Sequence, residues 1–175
     1  MNFQDTQLIG VLARAESTVS SLSSLLGGLV EKFAARGYSL YLVGGSVRDA
    51  LLGRLGNDLD FTTPARPEVI KEILDEWAET VWDTGIDFGT VSAAYKGQQI
   101  EITTFRSDSY DGQSRNPEVV YGDTLEGDLV RRDFKANAMA IELLADASFK
   151  FHDPLHGLQD LSLIHISEPT RLRRI

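Results

Sequence analysis

The segment Asp58-Leu59-Asp60-Phe61 constrains this chain more than any other. Carboxylates alternate with large apolar side chains, and successive residues of a strand point to opposite faces. As a strand, it places Leu59 and Phe61 in a core and both aspartates together on the other face. Two like charges this close repel unless a cation sits between them. Magnesium suits such a pair, because it binds through a few carboxylates plus waters and phosphates. An Asp-x-Asp in a solvated turn is the plainer alternative, and these four residues alone do not exclude it.

A second constraint lies just upstream. Leu42-Val43-Gly44-Gly45-Ser46-Val47-Arg48-Asp49 reads as a strand running through two glycines into a helix. Glycines lack a Cβ, so an anion can approach the backbone amides closely. A helix start adds favourable partial charge, and Arg48 can reach the same anion with a forked pair of donors. Equally, the glycines can serve only to make the corner. Ser46 is not set in a Gly-x-Ser-x-Gly elbow and is not read as a nucleophile.

The rest of the pattern supplies a small α+β domain, a mostly antiparallel sheet with helices on one face. Leu22, Leu25, Leu26, Leu29, Val30 and Phe33 recur at helical spacing, with Gly37 as a stop. Residues 1–20 are weakly patterned and read as a frayed arm or a loose helical start. Strands are expected at 38–43, 58–62, 88–95, 99–105, 136–143 and 148–152. Helices are expected from 47, at 67–77 with Pro67 in the first turn, and at 125–132 with Thr124 as cap. Lys96-Gly97-Gln98 is a hairpin signal, and 107–117 reads as a loop.

Two further constellations bear on chemistry. Glu101 sits between Ile100 and Ile102 in Gln99-Ile100-Glu101-Ile102-Thr103-Thr104-Phe105. Beside the Asp58–Asp60 strand it completes a three-carboxylate site; otherwise it faces solvent, and the sequence does not fix the register. Leu129-Val130-Arg131-Arg132-Asp133-Phe134-Lys135-Ala136-Asn137-Ala138-Met139-Ala140 places two arginines and an aspartate before small residues. Arg132 is a candidate triphosphate ligand and Asn137 a hydrogen-bonding partner for a sugar or a nearby loop. As a plain helix surface, the same pair is simply solvated. His152, His156 and His165 show no metal-ligand spacing.

The formal net charge is −9, and there are no cysteines, which excludes a disulfide framework or a thiolate metal site. An acidic chain is a poor partner for RNA unaided. No signal peptide or membrane-length apolar run is found, so a cytoplasmic location with no membrane partner is expected.

Taken in order, the texts GGSVRDALLG, NDLDFTTPARPE, IEITTFR, RRDFKANAMA and DPLHGLQDL resemble the head domain of the bacterial CCA-adding tRNA nucleotidyltransferases and bacterial poly(A) polymerases. These belong to the polymerase-β-like nucleotidyltransferase superfamily, and the likeness covers roughly residues 38–160. The resemblance implies that Asp58 and Asp60 bind catalytic magnesium, and that Glu101 is the third acidic position. It implies that Gly45, Arg48 and Arg132 meet the incoming nucleotide, while Gly44, Asp49, Arg131, Asp133 and Asn137 shape its pocket. Lys135 and Ala136 stand where the family more often has a hydroxyl and a larger aliphatic residue.

The implied reaction is template-independent addition of CMP, CMP and AMP from CTP and ATP to tRNA 3′ ends, with Mg2+. Poly(A) addition from ATP and a non-catalytic nucleotide-binding module stand as alternatives. The implied organisation is an arm at 1–20, a head at 21–160 and a tail at 161–175. That tail departs from the family, which continues with a base-reading helix and RNA-holding parts. It reads instead as a one-frame translation of a transposase adapter used in DNA library preparation.

Overall fold

The computed structural model describes residues 3–107, 119–159 and 161. The expected loop, apart from Ser107, and the expected tail beyond Leu161 lie outside them. A 33-residue helix, α1 (Phe3–Ala35), opens the chain. It is followed by β1 (Leu40–Val43), α2 (Gly45–Leu51), β2 (Asp58–Thr63), α3 (Pro67–Trp77), β3 (Thr80–Trp82), β4 (Thr90–Tyr95) and β5 (Gln98–Thr104). The chain then forms α4 (Leu125–Val130), β6 (Ala140–Leu143) and β7 (Phe149–His152). The seven strands form one sheet in the order β3-β4-β5-β2-β1-β6-β7. Only the β2–β5 pair is parallel; the other named pairs are antiparallel.

Period-two alternation decides both faces of the sheet. Leu40 and Leu42, Leu59 and Phe61, Ile100 and Ile102, and Ile141 and Leu143 are buried in one cluster. That cluster also holds Val19, Leu26 and Phe33 of α1, Val47 of α2, and Ile70 and Leu74 of α3. Burying side chains of this size favours folding by roughly 1.5–3 kcal/mol each. The intervening residues of β1, β2 and β5 face the other way. There Val43 and Ala140 pack against Leu129 of the short α4 in a smaller cluster.

Four local expectations change. The helix does not begin near Leu22; Val11, Ala15 and Val19 continue its buried stripe towards the N-terminus. Gly28 within it is accommodated by Trp77, whose Nε1 lies 3.5 Å from where a Cβ would stand. Residues 136–139 are not strand, because a 3-10 turn at Lys135–Asn137 delays β6 to Ala140. A further 3-10 turn, Ile86–Phe88, stands where β4 was expected to begin. The short strand β3 had no expected counterpart; it is three residues long with Thr80 and Trp82 exposed, so burial leaves little periodic signal. The β4–β5 connection is a tight turn in which Lys96 (φ 47°) and Gly97 (φ 78°) are both left-handed, the backbone that joins twisted strands without splaying them. Among the described residues no helix is long and apolar enough to cross a membrane.

Candidate active site

The register of β2 against β5 settles where Glu101 stands. The parallel pairing sets Asp58 opposite Gln99 and Asp60 opposite Glu101. Glu101 also pairs with Ser92 of β4, whose hydroxyl reaches its carboxylate at 3.5 Å. Asp58, Asp60 and Glu101 are all exposed, on the sheet face away from α1–α3. Leu59 and Ile100 between them are buried.

This acidic face is electrostatically strained. Asp60 has its carboxyl pushed above the ordinary carboxylate range by desolvation first, then by Glu101 and Asp58. The Arg132 charge opposes them without cancelling them. A divalent cation would relieve that repulsion. Among the described residues no three His, Cys, Asp or Glu side chains gather as a metal cage. Asp58 and Asp60 could supply two hard oxygen donors, with Glu101 as flanking charge. Magnesium suits them, since it completes its shell with waters and phosphates.

The Gly44–Gly45 turn is built against this edge. Gly44 has φ 66° and ψ −140°, a backbone that residues with a Cβ avoid. Ser46, buried, tethers α2 to β2: its Oγ accepts from the Asp60 amide at 3.0 Å and donates to the Asp58 carbonyl at 3.4 Å. Its role is to hold the carboxylate strand beside the glycine turn. Two arginines flank the turn. A Cβ on Gly45 would stand 3.4 Å from Arg48 Nη2, and one on Gly44 3.7 Å from Arg132 Nη1. Asp49 touches Arg48 Nε at 3.4 Å.

Arg132 is held from behind by a residue that sequence reasoning passed over. Asp128 of α4 is fully buried, and its carboxylate accepts from Arg131 Nη2 and Arg132 Nη2 at 3.0 Å each. It also accepts from the Arg106 backbone amide at 2.9 Å. Burial would push this carboxyl up, but the Arg106 amide, the Arg132 charge and the Arg131 hydrogen bond together hold it below the usual range. The signal was available, since arginines three and four residues on share a helix face with an aspartate.

Asp133 is exposed, and Asn137 closes the 3-10 turn that packs against α2. The Asp153 turn is structural: its carboxylate accepts from the Gly157 and Leu158 amides at 2.7 and 3.0 Å. A Cβ on Gly157 would lie 2.2 Å from the Lys135 carbonyl, so only glycine fits there.

Comparison with known proteins follows the same lines. Residues 40–166 match the family model described as the poly A polymerase head domain. The CCA-adding enzyme of Listeria innocua is 43% identical over 130 residues, 74% of this chain and 31% of that protein. The Bacillus stearothermophilus CCA-adding enzyme in complex with CTP superposes with a TM-score of 0.63 at 35% identity, covering 79% of this chain and 31% of that one. The Thermotoga maritima CCA-adding enzyme complexed with tRNA_CCA gives a TM-score of 0.61 at 28% identity, covering 81% and 31%. The chain thus spans about a third of the length of the curated relatives it matches. With 127 of its residues inside the family match, the chain belongs to the poly A polymerase head domain family.

Proposed function

We propose that this chain is the catalytic head of a template-independent RNA nucleotidyltransferase that adds CMP, CMP and AMP to tRNA 3′ ends from CTP and ATP. The observation that carries the reading is the register of β2 and β5. It sets Glu101 beside Asp60 on the same edge as the glycine turn, Arg48 and Arg132. Triphosphate binding alone does not require three carboxylates at that edge. Solved relatives that bind CTP and tRNA_CCA point to the same substrates.

In this reading the RNA 3′-hydroxyl attacks the α-phosphate in line and pyrophosphate leaves. Asp58 and Asp60 would hold magnesium there, and the ion would supply Lewis acidity toward the attacking hydroxyl and the leaving pyrophosphate. Arg48 and Arg132 neutralise triphosphate charge from either side of Gly44–Gly45. Ser46 keeps the carboxylate strand in register with that turn. Asp49 steers Arg48, while Arg131, Asp133 and Asn137 shape the surrounding pocket.

In this proposal 1–20 is an arm, 21–160 the head and 161–175 a tail, with α1 (Phe3–Ala35) running from the arm into the head. Leu161 itself is buried in the main core. A cytoplasmic location fits the proposed substrates. The description of the matching family favours a second reading, poly(A) addition from ATP by the same chemistry.

The test is metal-dependent pyrophosphate release from CTP and ATP with a tRNA lacking its terminal CCA. It should use this chain and a chimera joining it to the remaining two thirds of a CCA-adding relative. Release with both nucleotides, ending after three additions, supports CCA addition. Release with ATP alone and no stop favours poly(A) addition. A chimera that folds but releases no pyrophosphate with magnesium contradicts both.

A further inference from the structure

We propose that Asp128 is a positioning residue for triphosphate binding, a buried carboxylate that fixes Arg131 and Arg132 so that Arg132 presents its free edge to the Gly44–Gly45 turn. The inference rests on the nucleotidyltransferase reading and adds to it a residue that touches no substrate.

Geometry is the first support. Asp128 is 0% exposed, and Arg131 and Arg132 reach its two oxygens at 3.0 Å each from positions i+3 and i+4. Through one nitrogen Arg132 is bound to Asp128; its other, Nη1, stands near the glycine turn. A flexible side chain tied at one edge loses most of its freedom before any ligand arrives. Preorganisation of that kind lowers the cost of binding.

Charge is the second. Arg106 joins the cluster, and its guanidinium is perturbed by desolvation and by the Arg131 and Arg132 charges. Two guanidinium groups bond this one buried carboxylate, while the Arg106 guanidinium, which donates to the Phe88 carbonyl, adds a third positive charge nearby. The Nε atoms of Arg106, Arg131 and Arg132 are all buried without a hydrogen-bond partner among the described residues. A buried ionic group is weak as a stability device, because apolar packing of similar volume serves as well. Nor does α4 need Asp128 as a cap, since Thr124 already accepts from the Gly127 amide. What Asp128 provides is direction: it holds Arg132, the member of this under-neutralised cluster whose Nη1 stands near Gly44, toward the turn where the triphosphate is proposed to lie.

The test uses the 175-residue chain with inorganic triphosphate as the probe, followed by calorimetric titration in magnesium buffer. Arginine Nε–Hε resonances are read by 15N NMR without ligand. Asp128→Asn keeps the shape and removes the charge. We expect it to retain the backbone amide spectrum and a cooperative melt, to weaken triphosphate binding about tenfold or more, and to average the Arg131 and Arg132 Nε signals. Asp128→Glu should recover part of the affinity.

A folded Asp128→Asn protein that binds within twofold of the parent overturns the inference while leaving the functional reading intact. A parent chain that binds no triphosphate removes the functional reading, and this inference with it. If Asp128→Asn does not fold, the parent decides. Arg132 Nε relaxation as mobile as that of exposed Arg54 overturns the proposal. A rigid Arg132, with at least tenfold weaker binding in Arg132→Lys, supports it, because lysine cannot bridge carboxylate and turn at once.

Discussion

Two aspartates in this molecule sit in opposite electrostatic states, and only one of them has its charge answered by the protein. Asp128 is fully buried, accepts three hydrogen bonds and is held below the usual carboxylate range. Asp60 stands on β2 beside Glu101 and is pushed above that range, by desolvation first and then by its acidic neighbours. Satisfied charge builds the frame, and the unanswered charge lies where the metal and triphosphate are proposed to bind. Arg132 joins the two aspartates: it bonds to Asp128 and opposes the repulsion felt by Asp60.

The comparison can be broken most sharply at the acidic edge. Asp58→Ala or Asp60→Ala in the active chimera should abolish nucleotide addition, a loss of several orders of magnitude in rate, with the fold retained. Near-parent rates with magnesium, measured by primer extension, would sever frustration from function.

At the satisfied site the expected effect is on stability. Asp128→Ala strands two arginines and an amide, which should cost about 3 kcal/mol by denaturant unfolding. The acid limb should change too. The folded pKa of Asp128 is depressed, so its stabilisation is present above the unfolded value of about 3.9 and is lost as pH falls through the folded one. The parent should lose stability below about pH 4, and Asp128→Asn should flatten that limb. Unchanged limbs in both would show that Asp128 is not held as described.

Between the two sites, Gly44→Ala forces a Cβ into a left-handed backbone at φ 66°. It should cost about 1 kcal/mol in stability and weaken triphosphate binding more than the melt alone explains. Smallest is Asp60→Asn. Removing one of two like charges opposite each other should stabilise the ligand-free protein by roughly 0.5 kcal/mol. Destabilisation there would contradict the view that Asp60 is frustrated.

How far the sequence revealed this arrangement follows the same division. Helix α3 was readable to its ends, from Pro67 to Trp77, because its apolar spacing and its N-terminal proline agree. The Asp58–Phe61 alternation gave the face of each residue once the segment is a strand, and the Lys96-Gly97 turn located the hairpin. What could not be read was pairing between strands distant in sequence: whether Glu101 stood beside Asp60 depended on a register that only the packed sheet sets. The sequence leaves the start of α1 open between a frayed arm and a loose helix because its stripe passes through the small Ala15 and beside the polar Glu16-Ser17-Thr18 and Ser20-Ser21. Asp128 was missed because an aspartate in a short polar helix looks solvated until the sheet and Arg106 cover it.

The most direct test of the central claim is calorimetric titration of CTP and ATP into this 175-residue chain, with and without magnesium. In the proposed function the placed residues meet phosphates and metal, not base edges. Both nucleotides should therefore bind with affinities within about threefold of each other, only when magnesium is present, and neither should bind Asp58→Asn or Asp60→Asn appreciably. Binding that ignores magnesium, or that survives loss of both carboxylates, would contradict the account.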